Sequence, residues 1–93
     1  EASDHLWIYP NPTPGAFQVR LYYDPSSISE RRAVYIYNAK GQLMQSREIS
    51  LVSSSAPYTA IHFDLSNVAP GTYVVKVVDK NSGRIVSGLV VNQ

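Results

Sequence analysis

Apolar and polar side chains alternate along seven short stretches of this chain, and that two-residue period limits its fold more than any other feature. In the second stretch Phe17, Val19 and Leu21 share one face, while Gln18 and Arg20 lie on the other. This is the period of a β-strand with one buried face. The predicted strands are residues 6–9, 17–23, 33–38, 42–50, 59–65, 72–79 and 84–92. No stretch has a helical period of useful length, so an all-β fold is predicted.

Turn-forming residues separate these stretches. The segments 38–41 and 79–83 each end in glycine and predict tight hairpins, while 24–30 and 51–57 predict longer loops. Short strands at this spacing predict an immunoglobulin-like antiparallel β-sandwich of about seven strands. Tyr73 stands at the start of the sixth strand, where such sandwiches carry a tyrosine corner.

Length and composition exclude several classes of protein. A chain of 93 residues with a net charge of +1 is enough for one domain and has no basic stripe for nucleic acid. The absence of cysteine excludes disulfides and thiolate chemistry. His5 and His62 have no partners at metal-ligand spacing, and no serine lies in a nucleophile elbow. We therefore predict no metal, no cofactor, no membrane insertion and no enzymatic activity.

The segment YPNPTPG, residues 9–15, carries three prolines at alternate positions. Each proline holds the preceding residue extended and cannot donate to a sheet ladder. The segment is predicted to be a stiff connector that resists pairing and crosses from one sheet to the other. Asn11 is expected to bond a nearby loop, and Gly15 to allow the turn into the second strand.

Seven tyrosines and one tryptophan leave two alternatives open. Tyr22, Tyr35 and Tyr37 are candidates for a stacking platform on adjacent strands, on which sugars or nucleic-acid bases could stack. Aromatic pairs also stabilise sheets without binding a ligand. A fibronectin-III-like or carbohydrate-binding spacer module is therefore an alternative function.

Four motifs in order resemble the C-terminal sorting domains of type IX secretion cargo proteins. The first is Pro-Asn-Pro followed by glycine, the second a turn before Gly-Gln, the third Leu-x-x-x-x-x-Gly-x-Tyr, and the last an apolar strand closing the sequence. The matching residues are Pro10, Asn11, Pro12, Gly15, Gly41, Leu65, Pro70, Gly71, Tyr73, Leu89, Val90 and Val91. The family often has a lysine before its last apolar run, where this chain has Ser87-Gly88.

The resemblance implies that residues 6–93 form a secretion signal and residues 1–5 a polar linker to upstream cargo. The cargo would cross the periplasm and pass the type IX outer-membrane translocon with the help of shuttle proteins. A sortase-like cysteine peptidase would then usually remove the domain, leaving the cargo at the cell surface or secreted. The residues that the resemblance implies for recognition are Pro10, Asn11, Pro12, Gly15, Gly41, Gly71, Tyr73, Leu89, Val90, Val91, Asn92 and Gln93. The last strand is expected to offer an open edge and a terminal carboxylate to the partner.

Overall fold

A computed structural model describes residues 5–22, 31–50, 58–80 and 83–93. Within these ranges the chain forms seven strands: β1 (His5–Tyr9), β2 (Ala16–Tyr22), β3 (Arg31–Tyr37), β4 (Leu43–Ser50), β5 (Tyr58–Asp64), β6 (Gly71–Asp79) and β7 (Ile85–Asn92). One sheet has the order β1-β2-β5 and the other β4-β3-β6-β7, with antiparallel pairing throughout both sheets. The described residues include no helix long and apolar enough to cross a membrane.

All seven predicted strands are present, with ends that differ by one or two residues. β1 begins at His5, because His5 pairs with Tyr22 at the edge of the three-stranded sheet. The predicted hairpin at 38–41 is confirmed by the Gly41 N–H, which donates to the Asn38 carbonyl at 3.0 Å. The predicted loops 24–30 and 51–57, and Tyr23 at the end of the second predicted strand, lie outside the described residues.

The core lies between the two sheets and contains the inward faces predicted from the alternation. Its buried members are Phe17, Val19, Leu21, Val34, Ile36, Ile61, Phe63, Leu65, Tyr73, Val75, Val77 and Val90. Phe17 and Phe63 stack across β2 and β5 with ring centroids 5.8 Å apart. Full burial of one such side chain contributes about 1.5–3 kcal/mol, so this cluster supplies most of the drive to fold.

The outer faces carry the remaining aromatic residues of the described ranges, but these do not form the predicted platform. Tyr22 lies on the three-stranded sheet beside Tyr58, whereas Tyr35 and Tyr37 lie together on the four-stranded sheet. The platform prediction is wrong because β2 and β3, although consecutive, belong to different sheets.

Side chains of β4 cover the open edge of β5. Gln45 Nε2 donates to the Asp64 carbonyl at 2.9 Å, and Arg47 Nη1 donates to the His62 carbonyl at 2.8 Å. The Arg47 guanidinium also lies 4.5 Å from the centroid of the Phe63 ring. These bonds satisfy backbone carbonyls that would otherwise be available to another strand.

Candidate functional site

The four sequence motifs meet at one end of the sandwich, which we call the motif end. Strand register brings Gly71 opposite Asn92 in one sheet and Ala16 opposite Asp64 in the other. There the Leu65 N–H donates to the Gly15 carbonyl at 2.9 Å, which continues the β2–β5 ladder. The Asn92 Nδ2 donates to the Leu65 carbonyl, also at 2.9 Å, and this bond joins the two sheets. The chain enters β1 at the opposite end, which we call the far end.

Residues 10–14, the proline strap, pair with the end of β7. The strap leaves the three-stranded sheet after β1, reaches the other sheet, and returns to the first as β2. The Thr13 N–H donates to the Val91 carbonyl, and the Gln93 N–H donates to the Thr13 carbonyl, both at 2.8 Å. The prediction that this segment resists pairing is wrong, because the prolines leave Thr13 with both of its backbone hydrogen-bonding groups.

The Asn11 side chain extends the same pairing by one step. Its Nδ2 donates to the Leu89 carbonyl at 2.8 Å, and its Oδ1 accepts from the Val91 N–H at 2.9 Å. The flanking peptide bonds, Tyr9–Pro10 and Asn11–Pro12, are both cis. The side-chain amide thus bonds the strand as a backbone peptide group would, in place of the donors that the prolines lack. Asn11 therefore binds the terminal strand and not the predicted loop.

Thr13 is fully buried and was missed as a candidate from the sequence. Its hydroxyl donates to the Ala16 carbonyl at 2.7 Å and accepts from the Gly15 N–H at 3.0 Å. These bonds turn the chain from the strap into β2. The signal that could have found it is its place between Pro12 and Pro14, as the one residue there that can pair through its backbone.

Tyr73 and Asn92 hold the loop between β5 and β6. The Tyr73 hydroxyl donates to the Ala69 carbonyl at 2.6 Å, which confirms the tyrosine corner. Asn92 is buried, and its Nδ2 donates to the carbonyls of Leu65 at 2.9 Å and Ala69 at 3.3 Å. The Asn92 side chain therefore fastens the end of β7 to the third motif.

Replacing Tyr73 with phenylalanine removes the hydroxyl while keeping the packed ring. We expect the free energy of unfolding to fall by about 1–2 kcal/mol, because the partly buried bond from the Tyr73 hydroxyl to the Ala69 carbonyl is lost. Urea unfolding measures the change, with Tyr9→Phe as a control at an exposed ring. Equal midpoints for Tyr73→Phe and the parent chain would contradict the tyrosine corner.

The second motif closes the other side of the motif end. Asn38 Oδ1 accepts from the N–H groups of Lys40 and Gln42, each at 2.9 Å, and Gly41 has a φ of 84°, which favours glycine. Between this turn and residues 69–73 lies an open groove of about 270 Å³.

Alternate residues of the terminal strand differ sharply in exposure. Leu89 and Val91 are 58% and 39% exposed on the outer face, whereas Val90 and Asn92 face inward and are buried. Leu89 continues a cross-strand apolar row with Leu43, Tyr37 and Val74. The expected open edge is wrong for residues 89–93, since the strap occupies it. In this covered part of β7, a partner that meets the intact fold would therefore contact the outward side chains of Leu89 and Val91.

Asp64 places a negative charge at the motif end. The hydroxyl of Ser66, and then its backbone N–H at 2.8 Å, lower the pKa of this exposed carboxyl below its usual value. Across residues 5–22, 31–50, 58–80 and 83–93, no three side chains of His, Cys, Asp or Glu cluster as metal ligands would.

Comparison with known proteins agrees with this arrangement. The family described as secretion system C-terminal sorting domain matches residues 7–92. No curated protein is significantly similar in sequence. The fold is similar to part of the crystal structure of dimeric latent PorU from Porphyromonas gingivalis, with a TM-score of 0.75 and 23% identity. That match covers 100% of this chain and 10% of the PorU chain, so the chain spans about a tenth of that neighbour.

At this identity the likeness to PorU shows the fold, an immunoglobulin-like sandwich. The family match supports a more specific conclusion than the fold alone, because the matched residues include the proline strap, the turn at Gly41, the corner at Tyr73 and nearly all of β7. The chain therefore belongs to the family of type IX secretion C-terminal sorting domains.

Proposed function

We propose that the motif end is the surface by which the outer-membrane translocon of the type IX system recognises this domain after it has folded. The observation that carries the proposal is the way the first and third motifs hold β7. The strap bonds its edge, Asn92 fastens it to the loop after β5, and Leu89 and Val91 remain exposed. A partner would thus meet two apolar side chains in a fixed position.

Fixing these side chains before recognition reduces the cost of binding. An extended peptide loses backbone and side-chain freedom when a partner orders it, and that loss reduces the affinity. Leu89 and Val91 are already ordered by pairing with Val74 and Thr72 in β6. Pro10, Asn11, Pro12, Gly15, Gly41, Gly71 and Tyr73 would therefore act by positioning the strand, and Val90 by anchoring it in the core.

The position of the N-terminal strand suits attachment to a cargo. His5 lies at the far end, opposite the motif end. Residues 1–5 would join the cargo there, so that the cargo does not cover Leu89 or Val91. A sortase-like peptidase would cut in this linker after transit through the periplasm, leaving the cargo at the surface or released. The domain would serve as a sorting signal, a role that requires no catalytic group in the domain itself.

The test is export of a reporter fused to the complete domain in a bacterium with this secretion system. We expect the parent fusion to reach the cell surface or medium, and Leu89→Ser with Val91→Ser to remain in the periplasm. Both substitutions are at exposed positions, so the thermal midpoint should change little. Trp7→Ser, at an exposed apolar residue of the other sheet, is the control and should be exported normally.

Two results would contradict the proposal. If the parent fusion stays in the periplasm, the domain is not a sufficient signal. If the Leu89→Ser and Val91→Ser fusion is exported as well as the parent, these side chains are not what the translocon contacts. Binding of sugars to the parent domain, seen as quenching of Trp7 fluorescence, would instead favour the carbohydrate-binding spacer.

A further inference from the structure

The first half of β7 has an open edge. Backbone groups of Leu89, Val91 and Gln93 bond to the strap, which lies on the side of β7 away from β6. In a strand, the backbone groups of every second residue point to the same side. By the same alternation the N–H and C=O of Ile85 and Ser87, and the N–H of Leu89, point to that side. Within the described part of the chain, these groups have no hydrogen-bond partner.

This edge lacks the usual protection against another strand. Residues 85–89 read Ile-Val-Ser-Gly-Leu, with no charge and no proline. Elsewhere protection is present: β4 carries Arg47 and Glu48, and the carbonyls of β5 are covered by Gln45 and Arg47. β1 is short, with five residues, and runs directly into Pro10.

The open edge is self-complementary. It is centred on Ser87, because the strap prevents pairing beyond Leu89. An antiparallel copy centred there places Ile85 opposite Leu89 of the other copy, and Ser87 opposite Ser87. Ile85, at 61%, and Leu89 are the two most exposed large apolar side chains in the described residues. Pairing brings these two side chains into contact on the outer face.

We propose that the occupant of this edge is a second copy of the chain, paired antiparallel about a two-fold axis through Ser87. The two Ser87 residues exchange N–H···O=C bonds, and the Leu89 N–H donates to the Ile85 carbonyl of the other copy. The two four-stranded sheets then form one continuous sheet. A two-fold axis makes the contact closed, so association stops at the dimer. Because this edge is short, the dimer is expected to be weak and to dissociate on dilution.

Paired charges test the register without disturbing the fold. Residues 85 and 89 are about 13 Å apart within one strand, but opposite residues in an antiparallel pair have Cβ atoms only about 4.5–5.5 Å apart. Ile85→Lys with Leu89→Lys places like charges across the axis. Ile85→Glu with Leu89→Lys places opposite charges there, at the same exposed positions. Sedimentation equilibrium of the full chain, up to about 1 mM, measures association.

We expect the parent chain and the Glu/Lys variant to show concentration-dependent dimers, and the Lys/Lys variant to remain monomeric. A parent chain that stays monomeric at every concentration would overturn the proposal. Equal association of the two charged variants would overturn it as well, since the contact would then lie elsewhere.

A single cysteine tests the axis itself, because the chain has none. Opposite residues of a hydrogen-bonded antiparallel pair have Cα atoms about 5.5 Å apart, within the range of about 4.4–6.8 Å that a disulfide spans. Ser87→Cys is therefore expected to oxidise to a covalent dimer more rapidly than Ser46→Cys, an exposed position on the same sheet. Equal rates for the two variants would contradict an axis at Ser87.

Discussion

Replacing Gly15 with alanine is expected to lower the stability of the protein more than a methyl group added at any other position of the motif end. A Cβ at this position would lie 2.8 Å from the Cβ of Ser66 and 3.1 Å from its Cα, and the backbone φ is +146°. The unusual φ costs about 1–3 kcal/mol for a non-glycine residue, and forced overpacking costs a further 1–3 kcal/mol. We expect the free energy of unfolding to fall by the sum, about 2–6 kcal/mol.

Gly71→Ala is the matched control for this prediction. Gly71 has a φ of +153°, close to that of Gly15, but a Cβ there would meet no atom within 4 Å. The two variants therefore share the backbone cost and differ in the contact with Ser66. Chemical denaturation should show Gly15→Ala less stable than Gly71→Ala. Equal stability would mean that Gly15 does not lie against Ser66 as the structure has it.

Replacing Asn11 with alanine is expected to loosen the end of β7 and to reduce export. The change removes both bonds to the strand, and with about 0.5–1.5 kcal/mol for each we expect a loss of about 1–3 kcal/mol. Exchange of the Val91 amide hydrogen should accelerate roughly tenfold or more, since about 1.4 kcal/mol corresponds to a factor of ten. The Val90 residue, paired with Tyr73 in β6, provides an internal reference.

The variant Asn11→Asp tests the two hydrogen bonds of the Asn11 side-chain amide separately. A carboxylate can still accept from the Val91 N–H, but it cannot donate to the Leu89 carbonyl. Val91 should thus stay protected in the aspartate variant and lose protection in the alanine variant. If the Val91 amide stays protected in both variants, the role given to Asn11 is contradicted.

The strands and the core were predictable because their signal is local. Alternation along Phe17–Leu21 or Tyr73–Val77 shows which side chains share a face, whatever the strand packs against. The tyrosine corner was predictable for the same reason, since Tyr73 bonds a carbonyl four residues before it.

The contacts of the strap were not predictable, because they depend on residues far apart in the sequence. Asn11 and Leu89 are separated by 78 residues, and only the packing of two sheets brings them together. Alternation also does not say which sheet a strand joins, which is why Tyr22 and Tyr35 were wrongly placed on one platform. The motifs could be recognised from the sequence, but only the folded structure shows that they hold the end of β7 in place.

The central claim is that the sorting signal is a strand held in a folded domain and not a free peptide. Its most direct test compares export of one reporter carrying all 93 residues with the same reporter carrying only residues 83–93. The account predicts export of the first and periplasmic retention of the second, because the short tail has neither the strap nor β6 to hold Leu89 and Val91. Equal export of the two reporters would contradict it.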